Sequence, residues 1–172
     1  MKIFLIGLPG SGKSTLGKKL AEALKVPFID LDLEIEKSAQ KTIADIFKES
    51  GEDFFRLFES QKLNALTQRY PQFVMATGGG TPCFHSGMEF MNVQGITLFL
   101  DVPVETIEKR MSDSEKLHRP LLRLLGEGST LEKLQHLFNQ RIPIYRQAKI
   151  TLSGKEITVD RMIQEIKNSL ST

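Results

Sequence analysis

A glycine-rich segment near the N-terminus constrains the fold more than any other feature of the sequence. Residues 7–14 read GLPGSGKS and match the pattern G-x-x-x-x-G-K-[ST]. An apolar run at 3–6 precedes the segment, and apolar residues at helical spacing follow it. Glycines let such a loop curl so that successive backbone N–H groups point inward, and the following helix adds the positive end of its dipole. The sequence therefore predicts a phosphate loop (residues 7–14) between a first strand and a first helix.

Side chains of the phosphate loop have distinct roles in this prediction. Lys13 can reach the β- and γ-phosphates of a nucleotide, and the Ser14 hydroxyl can ligate Mg²⁺. We assign nucleotide binding to Gly10, Ser11, Gly12, Lys13, Ser14 and Thr15. The loop alone leaves the reaction open, because switch GTPases, ATPase motors and small-molecule kinases share it.

Short apolar runs alternate with helical patterns along the rest of the chain. Strands are predicted at 2–6, 27–31, 73–77, 96–101 and 150–152, and helices at 13–24, 42–49, 53–68, 104–111, 131–145 and 159–170. Strands that alternate with helices imply a parallel sheet with right-handed crossovers. The length of 172 residues suits one domain with a substantial core. We therefore expect an α/β fold in three layers, with a central five-stranded parallel sheet and a single domain over 1–172.

Composition argues against several classes of protein. Lys and Arg number 23 and Asp and Glu 21, and the net charge of +2 disfavours a dedicated nucleic-acid binder. One cysteine leaves no intramolecular disulfide or Cys-based zinc site. No run approaches the roughly 20 apolar residues of a membrane span, and the N-terminus lacks a signal-peptide cleavage pattern. We expect a cytoplasmic protein without nucleic-acid or membrane partners.

Two aspartates end the second predicted strand, where ligands of parallel sheets bind. One of Asp30 and Asp32 could act on Mg²⁺ through water, and the other could accept a hydrogen bond from a substrate hydroxyl. Alternatively, Asp32 caps a helix that begins near Leu33.

Further candidates follow along the chain. Arg56 and Glu59 are spaced i, i+3 on a helix, either as a surface pair or as a guanidinium held for a substrate carboxylate. Gly78, Gly79 and Gly80 end the third strand, where a flexible turn is the alternative to close approach of a ligand. The polar segment 112–130 is either a plain connection or a functional loop.

Six features in order along the chain resemble the shikimate kinase family, in the nucleoside-monophosphate-kinase branch of P-loop folds. They are the phosphate loop, the Asp30 and Asp32 pair, Phe55-Arg56 with Glu59, the three glycines, Arg119-Pro120-Leu121-Leu122, and Arg141-x-Pro143-x-Tyr145. The resemblance implies transfer of the γ-phosphate of ATP to the 3-hydroxyl of shikimate, a step of aromatic amino-acid biosynthesis. It also implies a substrate-binding segment at about 32–60 and a mobile lid at about 112–126.

The resemblance also implies roles for the acceptor-site residues. Asp32 would bind ring hydroxyls and accept the reacting proton, while Arg56 and Arg141 would clamp the carboxylate. Gly78, Gly79 and Gly80 would contact the ring through their backbone.

Nucleotide and metal roles follow in the same way. Arg119 would swing in with the lid and stabilise charge on the phosphates, which makes Lys13, Asp32 and Arg119 the expected catalytic residues. Arg110 is similar to a position that stacks near the adenine, and Ser14 with Asp30 would serve Mg²⁺.

Two other functions remain as alternatives. A kinase of another small hydroxy acid, such as gluconate, shares the phosphate loop and the lid. A nucleotide-binding switch is disfavoured, because no guanine-reading Asn-Lys-x-Asp motif occurs. We expect a monomer that binds ATP and shikimate.

Overall fold

Five short strands pair in parallel and form one sheet in the order β2-β3-β1-β4-β5. The strands are β1 (Lys2–Ile6), β2 (Phe28–Asp30), β3 (Phe73–Ala76), β4 (Ile96–Asp101) and β5 (Ile150–Ser153). The structure, a computed structural model, describes residues 1–111 and 128–171. Parallel pairing brings the carboxyl ends of all five strands to the same edge, where β1 lies between β3 and β4. The loops that follow the strands therefore share one crevice.

Burial of the strands on both faces explains their sequence pattern. All residues of β3 are buried, as are all of β1 after Lys2 and all of β4 before Asp101. Strands covered on both sides carry continuous apolar runs instead of alternating ones. β5 lies at the edge of the sheet and alternates between buried and exposed residues.

Helices cover the sheet and carry the site residues. They are α1 (Lys13–Leu24), α2 (Leu31–Ala39), α3 (Ile43–Arg69), α4 (Gly87–Gln94), α5 (Val104–Arg110), α6 (Thr130–Tyr145) and α7 (Val159–Leu170), with a 3₁₀ turn at Thr81–Cys83. Within the described ranges, no helix combines the length and the apolar character that crossing a bilayer would require.

The predicted fold class is confirmed, with differences at several boundaries. α2 begins directly after β2 at Leu31, so the N-cap is Asp30, whose carboxylate accepts a hydrogen bond from the Leu33 N–H at 3.4 Å. The alternative that Asp32 caps this helix is therefore wrong. The helices expected at 42–49 and 53–68 are joined in α3 across a kink at Gly51, which has φ 80° and ψ 174°.

Two further points concern proline and the lid. α6 continues through Pro143 to Tyr145. Although a proline inside a helix often kinks or interrupts it, the helix runs on past Pro143 and ends at Tyr145, as in the predicted range 131–145. The predicted lid at 112–126, together with Arg119, lies outside the described residues.

Gly17 determines how closely α1 approaches the sheet. A β-carbon at this position would lie 2.7 Å from Cε2 of Phe28 and 3.0 Å from Cδ1 of Leu5. Both atoms belong to packed side chains, so the helix that follows the phosphate loop can lie this close only because the side chain is absent.

Gly17→Ala should lower the free energy of unfolding by about 1–3 kcal/mol, because overpacking exceeds the ~1 kcal/mol that Ala gains over Gly in a helix. Urea unfolding measures the change. Lys18→Ala, an exposed position on the same helix, is the control and should be neutral within about 0.5 kcal/mol. A more stable Gly17→Ala variant would contradict this packing.

Candidate active site

The phosphate loop forms a concave backbone turn between β1 and α1. Gly10 and Gly12 have φ values of 82° and 96°, which favour glycine, and Gly12 is the N-cap of α1 without any side-chain cap. The N–H groups of the first turn are thus left for an anion. Lys13 is buried, and its ammonium group donates to the carbonyl oxygens of Gly7 and Leu8 at 2.9 and 2.8 Å.

Ser14 and Asp30 join the phosphate loop to the end of β2. The Ser14 hydroxyl donates a hydrogen bond to Oδ2 of Asp30 at 2.7 Å. Hydroxyl and carboxylate oxygens are the hard ligands that Mg²⁺ accepts in nucleotide sites, together with phosphate oxygens and water. The two residues assigned to the metal from sequence therefore lie within contact of each other.

The triglycine turn (Gly78, Gly79 and Gly80) follows β3 and lies where charged groups from three helices meet. A β-carbon on Gly78 would lie 2.7 Å from Oε1 of Glu59 and 3.0 Å from Oδ1 of Asp32. Real β-carbons essentially never show the shorter of these contacts, and the longer one is tight, so the first glycine of the turn makes room for two carboxylates.

The other two glycines make room for two guanidinium groups. On Gly79, a β-carbon would lie 3.0 Å from Nη1 of Arg141 and 2.9 Å from Cδ of Pro9, in the phosphate loop. On Gly80, it would lie 2.5–2.6 Å from three atoms of the Arg56 guanidinium group. The structure thus brings Asp32, Arg56 and Arg141 together at the triglycine turn, next to the phosphate loop.

Arg56 is buried and ion-paired on both sides. Its Nη1 donates to Oε2 of Glu59 at 3.0 Å, and the other carboxylate oxygen of Glu59 accepts a hydrogen bond from the Thr81 hydroxyl at 2.7 Å. Arg56 and Glu59 are 3% and 2% exposed, so the pair predicted from the i, i+3 spacing is buried and not a surface pair. Nε and Nη2 donate to Oε1 of the half-exposed Glu52 at 3.1 and 3.0 Å.

Arg141 and Tyr145 reach the turn from α6. Arg141 is 6% exposed, and its buried Nη1 has no hydrogen-bond partner within the described part of the chain. The Tyr145 hydroxyl donates to the carbonyl oxygen of Gly79 at 2.5 Å. Burial raises the pKa of this hydroxyl, so it stays protonated and remains a donor at neutral pH.

Cys83 lies beside the same cluster. Burial raises the pKa of its thiol, against the opposing effect of Arg141 and Arg56. A thiol in this state is a weak nucleophile at neutral pH, in agreement with the absence of a catalytic assignment from sequence.

Arg110 lies apart from the acceptor cluster, at the end of α5. Its Nη2 donates to the carbonyl oxygen of Lys155, in the segment after β5. Both residues line an open cavity of about 480 Å³ whose wall also includes Pro103 and Thr106. Arg119, by contrast, lies outside the described residues.

Comparison with known proteins agrees with this geometry. Residues 9–171 match the family model described as Shikimate kinase. A shikimate kinase of Bacteroides fragilis is 37% identical over 99% of this chain and 97% of the relative. The chain belongs to the shikimate kinase family.

Solved structures support the same membership. A shikimate kinase from Bacteroides thetaiotaomicron superposes with a TM-score of 0.86 at 35% identity, covering 100% of this chain and 99% of that one. One from Acinetobacter baumannii, in complex with shikimate, has a TM-score of 0.85 at 36% identity and covers 99% and 92% of the two chains. Members of this family are ATP-dependent kinases, and the five-stranded α/β fold described above is theirs.

Four residues that contact the site residues were not predicted from the sequence. Glu52 lies four residues before Arg56, a spacing that could have revealed their pairing on one helix face. Pro9 and Thr81 occupy positions where no pattern distinguishes them, and their contacts depend on the tertiary fold. Tyr145 was part of the late arginine-proline motif but had no assigned role until its bond to Gly79 was located.

Tyr145→Phe should weaken binding of the acceptor substrate and spare ATP. The variant keeps the ring but removes the donor to Gly79, which leaves a carbonyl unpaired at a cost of about 1–3 kcal/mol. We expect KM for the acceptor to rise about 5-fold or more, and steady-state kinetics measures it. Tyr70→Phe is the matched control, because Tyr70 is the C-cap of α3 and is not part of the turn. An equal rise of KM for the acceptor in this variant would contradict a local effect.

Proposed function

We propose that the chain transfers the γ-phosphate of ATP to the 3-hydroxyl of shikimate, giving ADP and shikimate 3-phosphate. The observation that carries the proposal is the convergence of Arg56, Arg141 and Asp32 on the triglycine turn, beside the phosphate loop. Two buried guanidinium groups suit one carboxylate, and an aspartate suits a ring hydroxyl. Shikimate carries both groups on one small ring.

The phosphate loop is proposed to bind the phosphates of ATP. Gly10, Ser11 and Gly12 would do so through backbone N–H groups, while Lys13 would move from its carbonyl partners to the β- and γ-phosphates. Thr15 follows in the first turn of α1, where its N–H faces the same region.

Adenine and metal have separate proposed contacts. We place the adenine near Arg110, whose guanidinium group borders the open cavity between α5 and Lys155. Ser14 and Asp30 would hold Mg²⁺, since their oxygens already meet and are hard donors. The ion, when bound, neutralises charge on the phosphates.

Positioning accounts for most of the proposed catalysis, because phosphoryl transfer has a loose transition state. Arg56 and Arg141 would fix the acid end of the acceptor, so that its 3-hydroxyl faces the phosphate loop. Pro9 of that loop lies next to Gly79 of the triglycine turn. Asp32, in the first turn of α2, accepts the hydroxyl hydrogen bond and takes the proton as the new O–P bond forms. Arg119 is proposed to stabilise phosphate charge from a lid at 112–126 that excludes water.

We propose that residues 1–172 form one domain, with the substrate-binding segment at 32–60, and that the protein is a cytoplasmic monomer. In this arrangement all the proposed contacts to ATP and shikimate come from one chain, without nucleic-acid or membrane partners.

Release of ADP from Mg²⁺-ATP should be stimulated strongly by shikimate and little by gluconate. The reason is that the rigid ring presents carboxylate and hydroxyl at a fixed separation, whereas gluconate must lose chain freedom to match it. A coupled assay for ADP measures both acceptors. Stimulation by gluconate alone would favour the alternative hydroxy-acid kinase, and stimulation by neither would remove both kinases.

Substitutions in the two halves of the site should separate kinetically. Arg56→Ala should raise KM for shikimate about 30-fold or more and leave KM for ATP unchanged, since truncating a buried charged partner costs about 2–5 kcal/mol. Arg141→Ala should act alike while leaving the Arg56–Glu59 pair intact. Lys13→Ala should instead lower kcat about 100-fold or more.

Steady-state kinetics with each substrate varied measures both effects, with thermal unfolding as a check on folding. Equal loss of ATP and shikimate affinity in Arg141→Ala would contradict the assignment of the arginines. Normal turnover in Lys13→Ala would contradict the assignment of the phosphate loop.

A further inference from the structure

The two carboxylates that hold Arg56 differ sharply in their surroundings. Glu59 is 2% exposed and is fixed by Thr81, whereas Glu52 is 41% exposed on its side chain. Glu59 pairs with Nη1, and Glu52 pairs with Nε and Nη2. One side of the guanidinium group is therefore held by a buried carboxylate, and the other by a half-exposed one.

The side held by Glu52 is the one that suits a ligand's carboxylate. Nε and Nη2 are parallel donors that a carboxylate can bind with both of its oxygens. Glu52 binds the two nitrogens through Oε1 alone, so a bidentate ligand would form the better-directed pair of hydrogen bonds. The Phe84 ring, 4.4 Å from Cζ of Arg56, covers a face of the guanidinium group and leaves its edge for polar contact.

From these contacts we infer that Glu52 competes with the substrate carboxylate for the Nε–Nη2 edge of Arg56. The inference rests on the proposed function, in which Arg56 binds that carboxylate. When the acid binds, the Glu52 side chain moves out to solvent and one negative charge replaces another beside Arg56. The net charge around the buried Arg56–Glu59 pair is therefore the same in both states, and Glu52 sets how tightly an acid must bind to displace it.

The backbone next to Glu52 allows this exchange. Glu52 follows the kink at Gly51, and a β-carbon on Gly51 would meet nothing within 4 Å. Glu52 lies at the start of the second segment of α3, where the helix dipole favours a carboxylate whether or not the carboxylate contacts Arg56. The Glu52 side chain is already 41% exposed, so on release it can turn further into solvent and keep a favourable interaction with the helix.

Glu52→Gln tests the competition. The variant keeps the length and removes the charge, so KM for shikimate should fall about two- to five-fold, as expected for loss of a half-exposed ion pair. Values of kcat and of KM for ATP should be unchanged. An unchanged or raised KM for shikimate would overturn the inference, since a residue that merely positions Arg56 would weaken binding when altered.

Two controls separate displacement from a general change of charge. Glu49→Gln removes the same charge from α3, where Glu49 pairs with Lys41 and not with Arg56, and it should leave KM for shikimate unchanged. The neutral methyl ester of shikimate, measured as an alternative acceptor or as a competitive inhibitor, should bind the wild-type protein and Glu52→Gln equally. The inference would be overturned if Glu49→Gln lowered KM for shikimate as much as Glu52→Gln does. It would also be overturned if Glu52→Gln improved binding of the ester as much as binding of shikimate.

A second variant and the wild-type protein make the outcome unambiguous. Glu52→Asp keeps the charge but withdraws it by one methylene, and KM for shikimate should fall less than in Glu52→Gln; a larger fall would also count against displacement.

Failure of the proposed function is recognised separately. In that case wild-type protein shows no shikimate-stimulated ADP release, whereas active wild-type protein with no gain in either Glu52 variant removes this inference alone.

Discussion

The absence of three consecutive side chains after β3 is the constraint on which the site depends. Each glycine of the triglycine turn would clash with a charged group if it carried a β-carbon, at 2.5–3.0 Å from the nearest atoms. Carboxylates from α2 and α3 and guanidinium groups from α3 and α6 can therefore meet around one short turn. Since α6 is far from α2 and α3 in the sequence, the turn is the common surface against which the side chains of all three helices are aligned.

Burying Arg56 with Glu59 carries a desolvation cost that ion pairing alone often does not repay. Here the hydrogen bond from Thr81 and the aromatic ring of Phe84 complete the surroundings of the pair. The pair is thus better understood as fixing the position of the guanidinium group than as stabilising the fold. A rigidly placed arginine recognises a carboxylate at a lower entropic cost, because its rotamer is already determined.

Local patterns were enough to predict the parallel sheet, the phosphate loop and the i, i+3 pairing of Arg56, because each depends on near neighbours in the sequence. α4 was missed because its sequence, GMEFMNVQ, lacks a distinct helical stripe. The sequence offered Asp32, and not Asp30, as an alternative cap of α2, since a strand that passes directly into a helix offers no loop from which to locate the boundary. Convergence at the triglycine turn depends on tertiary contacts. The three glycines predicted only that a group would approach the backbone closely, and not which side chains would meet there. The resemblance to a family supplied the roles of Arg141 and Asp32 that spacing could not.

Pro9 links the two halves of the site. It belongs to the phosphate loop, yet its ring lies against Gly79, whose carbonyl oxygen accepts the Tyr145 hydroxyl and whose α-carbon faces Arg141. A shift of the phosphate loop on binding nucleotide would press on the turn that carries the acceptor, because close-packed contacts transmit displacement with little slack. Any such coupling must act in both directions, so an acceptor that tightens the turn also favours nucleotide binding. The direct contact through Pro9 gives the two substrates a physical route to cooperate without a change in the sheet.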